Sequence, residues 1–284
     1  MPPADVSRRI NAERLLLVAW LRALLLQMAH PLIAAGVAGH STFRGGATAG
    51  FSRLHQTIEA MLAITFGEPE ERARAIEGIR SIHRRVHGTL ASPCGTFPAG
   101  TPYSAEDSPL LIWVHATLTE SIVLTYERLV GPLTPVERDR YCADSADVAV
   151  ELGAAADEMP RSWAAVRWYL EKGYLSGRVV VGPQALEIAA ALLSPFNNRL
   201  VNGIVSPLVS LLAAGQLPPH LREEYGLQWS PRLARRYDRL MSVLGFVRRV
   251  TPRRIALWRR VWSVPGLSVD ARSLRAGLKI RPRL

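Results

Sequence analysis

Residues 109–125, PLLIWVHATLTESIVLT, place a histidine inside a long apolar stretch with helical spacing. Pro109 predicts the start of a helix, with Asp107 or Ser108 as its cap. One face of this helix then carries residues at three- and four-residue steps, namely Leu111, His115, Leu118, Ile122 and Thr125. Bulky apolar neighbours on both sides of His115 predict deep burial. A buried imidazole needs a hydrogen-bond partner or a metal, because burying it unpaired costs about 1–3 kcal/mol.

The same helical period extends over most of the 284-residue chain, and no sustained alternating strand pattern occurs. The segment 89–108 is rich in Gly and Pro, and it predicts either an ordered functional loop or a variable surface excursion. No linker divides the chain. We therefore predict an all-α fold with one globular multi-helix domain over residues 1–247. The predicted helices cover about 11–29, 51–65, 69–88, 109–125, 135–152, 160–173, 183–193, 198–214 and 231–247.

The positive charge is concentrated at the C-terminal end. Of the formal net charge of +11, the segment 248–284 holds +10, from eleven Arg or Lys and one acid. Paired arginines alternate there with Ile, Leu, Val and Trp, which predicts a basic amphipathic tail. Such a tail could lie on an anionic membrane surface or pack its apolar face on the domain. No recognition motif supports a nucleic-acid partner.

The apolar stretch 15–37 resembles a membrane span by composition, but Arg22 interrupts its centre and His30-Pro31 its second half. Because a central Arg costs about 2.5–3.5 kcal/mol on insertion, we interpret the stretch as a buried helix. Cys94 and Cys142 have no metal or redox spacing, which favours two free thiols in a reducing compartment. We expect a cytoplasmic protein, with peripheral membrane contact as an option.

Common catalytic motifs are absent from the sequence. There is no dinucleotide-binding or phosphate-binding glycine loop and no nucleophile elbow around a serine. His83 and His87 have the spacing to share a helix face, but Arg84 follows His83 where a zinc protease has Glu. Histidines are therefore the remaining candidates. Each could be a hydrogen-bonded core residue, His83, His87 and His115 could together bind a non-haem metal, and His115 could ligate a haem iron.

Four ordered motifs narrow these alternatives by resemblance. They are LLLQMAHP at 24–31, IHRRVHG at 82–88, YSAED at 103–107 and LIWVHATL at 111–118. Together they resemble the bacterial MpaB-like oxygenases, a family related to the latex-clearing (rubber) oxygenases. The resemblance covers about residues 14–225.

This resemblance implies an all-helical protein that holds haem b through a histidine on a core helix and uses dioxygen. It implies that His115 is the iron ligand and that the helix carrying Arg80, His83 and Arg84 forms the other face of the pocket. His83 and Arg84 are then the candidate catalytic residues, and His30 is a further candidate for cofactor contact. Arg80 and Arg84 could pair with the haem propionates.

The chain departs from the rubber oxygenases at one position. Those enzymes have a lysine in the upstream helix, whereas this chain has lysine only at positions 172 and 279. His83 or an arginine could take that place, or the iron could have two histidine ligands. The expected function is a haem-dependent oxygenase that acts on an apolar isoprenoid- or lipid-like molecule. The alternative is a non-enzymatic helical protein that binds lipid or a membrane surface and has structural histidines.

Overall fold

A computed structural model describes residues 6–40, 46–196 and 198–259, with the backbone alone for residues 46–54. Helices dominate it, as predicted, and the all-α fold class is confirmed. The helices are α1 Val6–Asn11, α2 Leu17–Met28, α3 Pro31–His40, α4 Gly46–Phe66, α5 Pro69–His83, α6 Ser108–Leu129, α7 Pro135–Glu151, α8 Trp163–Leu175, α9 Pro183–Leu193, α10 Arg199–Gln216, α11 Pro219–Glu224, α12 Pro231–Val250 and α13 Arg253–Ala256. A short 3-10 turn, Arg14–Leu16, precedes α2.

The helix that carries His115, α6, lies at the centre of the fold. It packs on α2, α7, α8 and α12, and it is buried over most of its length. Two of its buried hydroxyls are satisfied within the helix, since Thr117 donates to the Trp113 carbonyl at 2.8 Å and Ser121 donates to the Thr117 carbonyl at 2.6 Å. The polar residues of α6 therefore do not prevent its burial.

Several helices with a proline or a capping box at their start begin at the residues that the sequence predicted. α7 begins at Pro135 as predicted, and Thr134 and Glu137 form a capping box at its start. Pro183 begins α9 as predicted. The C-terminal helix α12 begins at Pro231 as predicted, and it extends to Val250, three residues beyond the predicted end.

The apolar N-terminal stretch is broken by a sharp bend. The chain turns by 104° between the segments Arg14–Met28 and Pro31–His40. Pro31 begins a new helix, whereas the sequence predicted only the end of the preceding helix there. His40, expected in a loop, is the last residue of α3. Within the described residues, no single helix has both the length and the apolar composition of a membrane span.

The predicted helix 69–88 is wrong at its C-terminal end. α5 ends at His83, and His87 begins strand β1 (His87–Thr89), which pairs antiparallel with β2 (Pro102–Ser104). Gly88 lies against Tyr103, because a side chain at position 88 would come within 2.7 Å of the phenol oxygen. His83 and His87 therefore do not share a helix face.

The segment between these strands contributes more to the core than its composition suggests. Leu90, Phe97 and Tyr103 are each buried and form an apolar cluster with residues of α3 and α6. These three side chains hold the segment 89–108 against the helices. Of the two alternatives predicted for this segment, the variable surface excursion is therefore wrong.

Candidate functional site

His115 is held in the middle of α6 and is 9% exposed. Burial, with a smaller contribution from the charge of His83, lowers its pKa from 6.5 to about 4. The ring is therefore neutral at pH 7, which is the form that can donate a lone pair to a metal. The helix fixes this ring in an apolar environment, as the sequence predicts.

His83 lies at the end of α5 and is half-buried. Its Nδ1 is buried and has no hydrogen-bond partner. Burial lowers the pKa of His83, while the Glu106 carboxylate opposes this shift. His83 has a small charge effect on the pKa of His115, and Glu106 has one on the pKa of His83, so the three side chains lie in the same region of the fold.

His30 lies at the bend between α2 and α3 and is 7% exposed. Its ring lies 5.3 Å from the Phe97 ring and 6.3 Å from the Trp113 ring, measured between centroids. Burial, and then the nearby charge of Arg178, lower its pKa to about 4. Its Nδ1 is buried without a partner. His30 is therefore also neutral, and it contacts the α6 side chain two positions before His115.

The two predicted arginines lie on the outside of α5. Arg80 is exposed, and Arg84 forms an exposed ion pair with Glu77 at 2.7 Å. This contact and the Coulomb attraction of Glu77 raise the pKa of Arg84. The Arg84 guanidinium is part of a surface ion pair, so it would have to break its contact with Glu77 in order to bind a cofactor.

The Trp113 ring links α6 to its neighbours. Its Nε1 donates to the Leu26 carbonyl at 3.1 Å, and Tyr174 meets it edge-on with 5.8 Å between centroids. Gly173 of α8 lies flat against it, since a Cβ there would be 2.5 Å from Cζ3 of the indole. These contacts fix the Trp113 ring on several sides. Trp113 lies between His30 and the part of α6 that carries His115.

In the described part of the chain, no three His, Cys, Asp or Glu side chains are grouped so that they could hold a metal ion. His83, His87 and His115 are thus not a three-residue metal site. A haem iron needs only one or two ligands from the protein.

Sequence reasoning missed a buried ion-pair network beside the site. Arg22 of α2 donates to Glu120 of α6 at 2.6 Å, and it also donates to Ser121 at 2.7 Å and to the Gln216 carbonyl at 2.9 Å. Arg167 of α8 donates to the other Glu120 oxygen at 2.8 Å. The sequence held one sign of this network: Arg22 and Glu120 are charged residues that each lie inside an apolar helix. Glu120 lies five positions after His115, so the network fixes the placement of α6.

Comparison with known proteins identifies the family of this arrangement. The profile described as "ER-bound oxygenase mpaB/B'/Rubber oxygenase, catalytic domain" matches residues 7–246, which includes every helix that forms the site. This chain belongs to the MpaB and rubber oxygenase family. The resemblance stated from the four motifs is therefore confirmed.

Two relatives of this MpaB-family chain are mycobacterial. The uncharacterized proteins Mb2261 of Mycobacterium bovis and Rv2237 of Mycobacterium tuberculosis are each 26% identical to it over 204 residues. The match covers 72% of this chain and 77% of each relative. No solved structure matches the chain.

Proposed function

We propose that this protein is a haem b-dependent oxygenase that uses dioxygen on an apolar, isoprenoid- or lipid-like small molecule. Membership of a family of oxygenase catalytic domains supports the oxygenase role. The observation that carries the haem proposal is the His115 imidazole, neutral and 9% exposed on the central helix α6, together with the buried, partnerless Nδ1 of His83.

His115 fits the role of iron ligand. A ligating imidazole must be unprotonated, and burial keeps the pKa of His115 at about 4, well below neutral pH. Its helix is held by neighbours on several sides and by the Arg22–Glu120 ion pair. The ring is therefore pre-positioned, which reduces the ordering cost of binding a cofactor.

His83 would be the second residue to hold or face the cofactor. Its partnerless Nδ1 is a ring nitrogen that can hold or deliver a proton, or can become a second ligand. The Glu106 carboxylate favours the protonated form of this imidazole, whereas the charge of His83 disfavours the protonated form of His115. This difference suits His83 to proton chemistry and His115 to ligation.

Bound haem b would supply an iron centre that activates dioxygen. The chain's own contribution is to exclude water and to orient an apolar substrate, because α6 presents bulky apolar residues on both sides of His115. Arg80 and Arg84 remain our candidates for the propionates, since both guanidiniums are exposed on α5 next to His83. His30 supports the site from the side of Trp113.

The absorption spectrum of the purified protein tests this proposal directly. We expect protein made in cells with ample haem supply to be red and to show a Soret band. Protein that is colourless under those conditions would reject the haem assignment and favour the alternative, a helical lipid-binding protein with structural histidines. We further propose a cytoplasmic location with peripheral membrane contact, for which fractionation of cells is the corresponding test.

A further inference from the structure

The outer face of α12 exposes large apolar side chains in its C-terminal half. Val243, Phe246, Val247 and Val250 are 57%, 62%, 48% and 61% exposed, and Ile255 just beyond the helix is 61% exposed. Exposed apolar side chains gathered on one face mark a contact surface more often than isolated ones do.

Helical geometry explains why these residues share a face. The opposite face of α12 is anchored inward, because Met241 and Gly245 are buried and Arg248 pairs with Glu13 of the N-terminal segment. Residues 243, 246, 247 and 250 recur at three- and four-residue steps on the side away from this contact. They form what we call the α12 outer face.

Basic side chains surround the α12 outer face. Arg232, Arg236 and Arg239 continue the same stripe toward the N-terminus of the helix, and Arg249, Arg253 and Arg254 flank its other end. All six are exposed. An apolar stripe bordered by arginines matches an anionic lipid surface, where the apolar groups enter the acyl boundary and the guanidiniums meet the phosphates.

We propose that the α12 outer face is a docking surface for an anionic bilayer. This goes beyond the oxygenase proposal, since it assigns the membrane contact to residues of the folded helix and does not depend on haem. Docking here would fix the orientation of the whole helical domain, because α12 packs directly on α6.

Charge argues against two other occupants. A second copy of the chain would bring the same arginines against one another, which is unfavourable. The chain's own segment 260–284 holds six basic residues and one acid, so it too would be repelled by the basic border. An anionic lipid surface complements this charge.

Flotation of the full chain with vesicles tests the proposal. We expect the wild type to bind vesicles that contain phosphatidylserine more strongly than vesicles of phosphatidylcholine alone, and to lose affinity as salt is raised. The variant Phe246→Ser/Val250→Ser should lose binding about tenfold or more, because it removes apolar area that would enter the bilayer. Its absorption and circular dichroism spectra should match the wild type, since both side chains are exposed.

A matched control comes from α10. Leu200 and Ile204 are even more exposed, at 82% and 79%, but Arg199 is the only charged residue of that helix. Leu200→Ser/Ile204→Ser should leave vesicle binding unchanged. The proposal is overturned if both double variants bind vesicles as the wild type does. It is equally overturned if the α12 variant changes only self-association in sedimentation, which would identify a second copy as the occupant.

Discussion

His30, His83 and His115 share one property that separates them from ordinary surface histidines. Burial lowers the pKa of each ring, and in His30 and His83 the Nδ1 atom is buried without a partner. Leaving a buried polar atom unpaired costs about 1–3 kcal/mol. Such a cost is tolerated where a bound group later satisfies the atom, which is why these rings, and not the exposed His40, carry our predictions.

The first prediction concerns cofactor retention. His115→Ala should lose most of the bound haem, because it removes the only proposed ligand on α6, and the Soret absorbance per protein would measure this. His83→Ala should keep the haem and change the position or shape of the band. His30→Ala should mainly lower the melting temperature. Equal haem content in wild type and His115→Ala would reject the assignment and make His83 the next candidate.

The second prediction concerns pH. His30 has a folded pKa of about 4 against an ordinary 6.5, so the unfolded chain binds more protons between these values. The contribution of His30 to the free energy of unfolding is therefore fully present above pH 6.5. It is lost as the pH drops toward 4, and the loss is on the order of 3 kcal/mol. In haem-free protein, His30→Phe should flatten the fall in unfolding free energy between pH 7 and pH 5. Identical slopes in the wild type and in His30→Phe would show that the protonation of His30 does not limit stability.

Among whole elements, the contact between α2 and α6 depends on a buried ion pair. Arg22 and Glu120 are 6% and 3% exposed in their side chains, and Arg22 also bonds to a serine hydroxyl and a backbone carbonyl. Buried pairs add little net stability, but removing one partner leaves a charge stranded in the interior. The network therefore specifies how the two helices align next to the site.

The third prediction follows from that network. Glu120→Gln should lower the free energy of unfolding by about 3–5 kcal/mol, because Arg22 then keeps a buried charge without a carboxylate. The exposed pair Arg128–Asp238 provides the comparison, and Asp238→Asn should cost under about 1 kcal/mol. Urea denaturation of both variants measures the difference. A loss in Glu120→Gln no larger than in Asp238→Asn would contradict the role given to the network.

Local signals account for the elements that the sequence predicted well. The capping box at Thr134 and the proline at position 183 mark helix starts through contacts within a few residues, and periodicity alone indicated the burial of His115. The end of α5 at His83 could not be predicted in this way. It depends on the pairing of His87 with Ser104, which are far apart in sequence, and Gly88 offered a competing stop signal.

The same limit applies to the site. No local pattern indicates that His83 affects the pKa of His115, that the His30 ring lies 6.3 Å from the Trp113 ring, or that Arg84 pairs with Glu77. The resemblance implies that the helices of His83 and His115 face each other, and in the structure the charge of His83 lowers the pKa of His115. Arg22 and Glu120 were visible as charges in apolar stretches, but their pairing required the packing of α2 on α6.

Over the whole molecule, the two ends of the described chain meet. Both guanidinium contacts from Arg248 to Glu13 measure 2.5 Å, and Glu13 is 5% exposed. Leu257, 3% exposed, forms a β-bridge with Glu13, and the Trp258 amide donates to the Ala12 carbonyl at 3.1 Å. The first part of the basic tail, 248–259, is thus in contact with the N-terminal segment, while 260–284 lies outside the described residues.

The fourth prediction distinguishes two truncations. The chain that ends after Arg259 is the reference for the melting temperature. Ending the chain after Val247 should lower this temperature by several degrees or more, because the buried Glu13 carboxylate loses Arg248 and the core loses Leu257. Thermal melts of both proteins measure this. Equal melting temperatures would show that residues 248–259 contribute little to the fold, and an unchanged haem spectrum in both would confine their role to stability.

The contact between Gly173 and the Trp113 indole offers a way to alter the site without changing any residue in it. A methyl group at position 173 would overlap the ring, so the indole would have to move, and His30 is one of its ring neighbours. A substitution on α8 would thus shift a side chain two positions before His115. Substrate range in this protein could be altered, by natural variation or by protein engineering, at a position that a search restricted to pocket-lining residues would overlook.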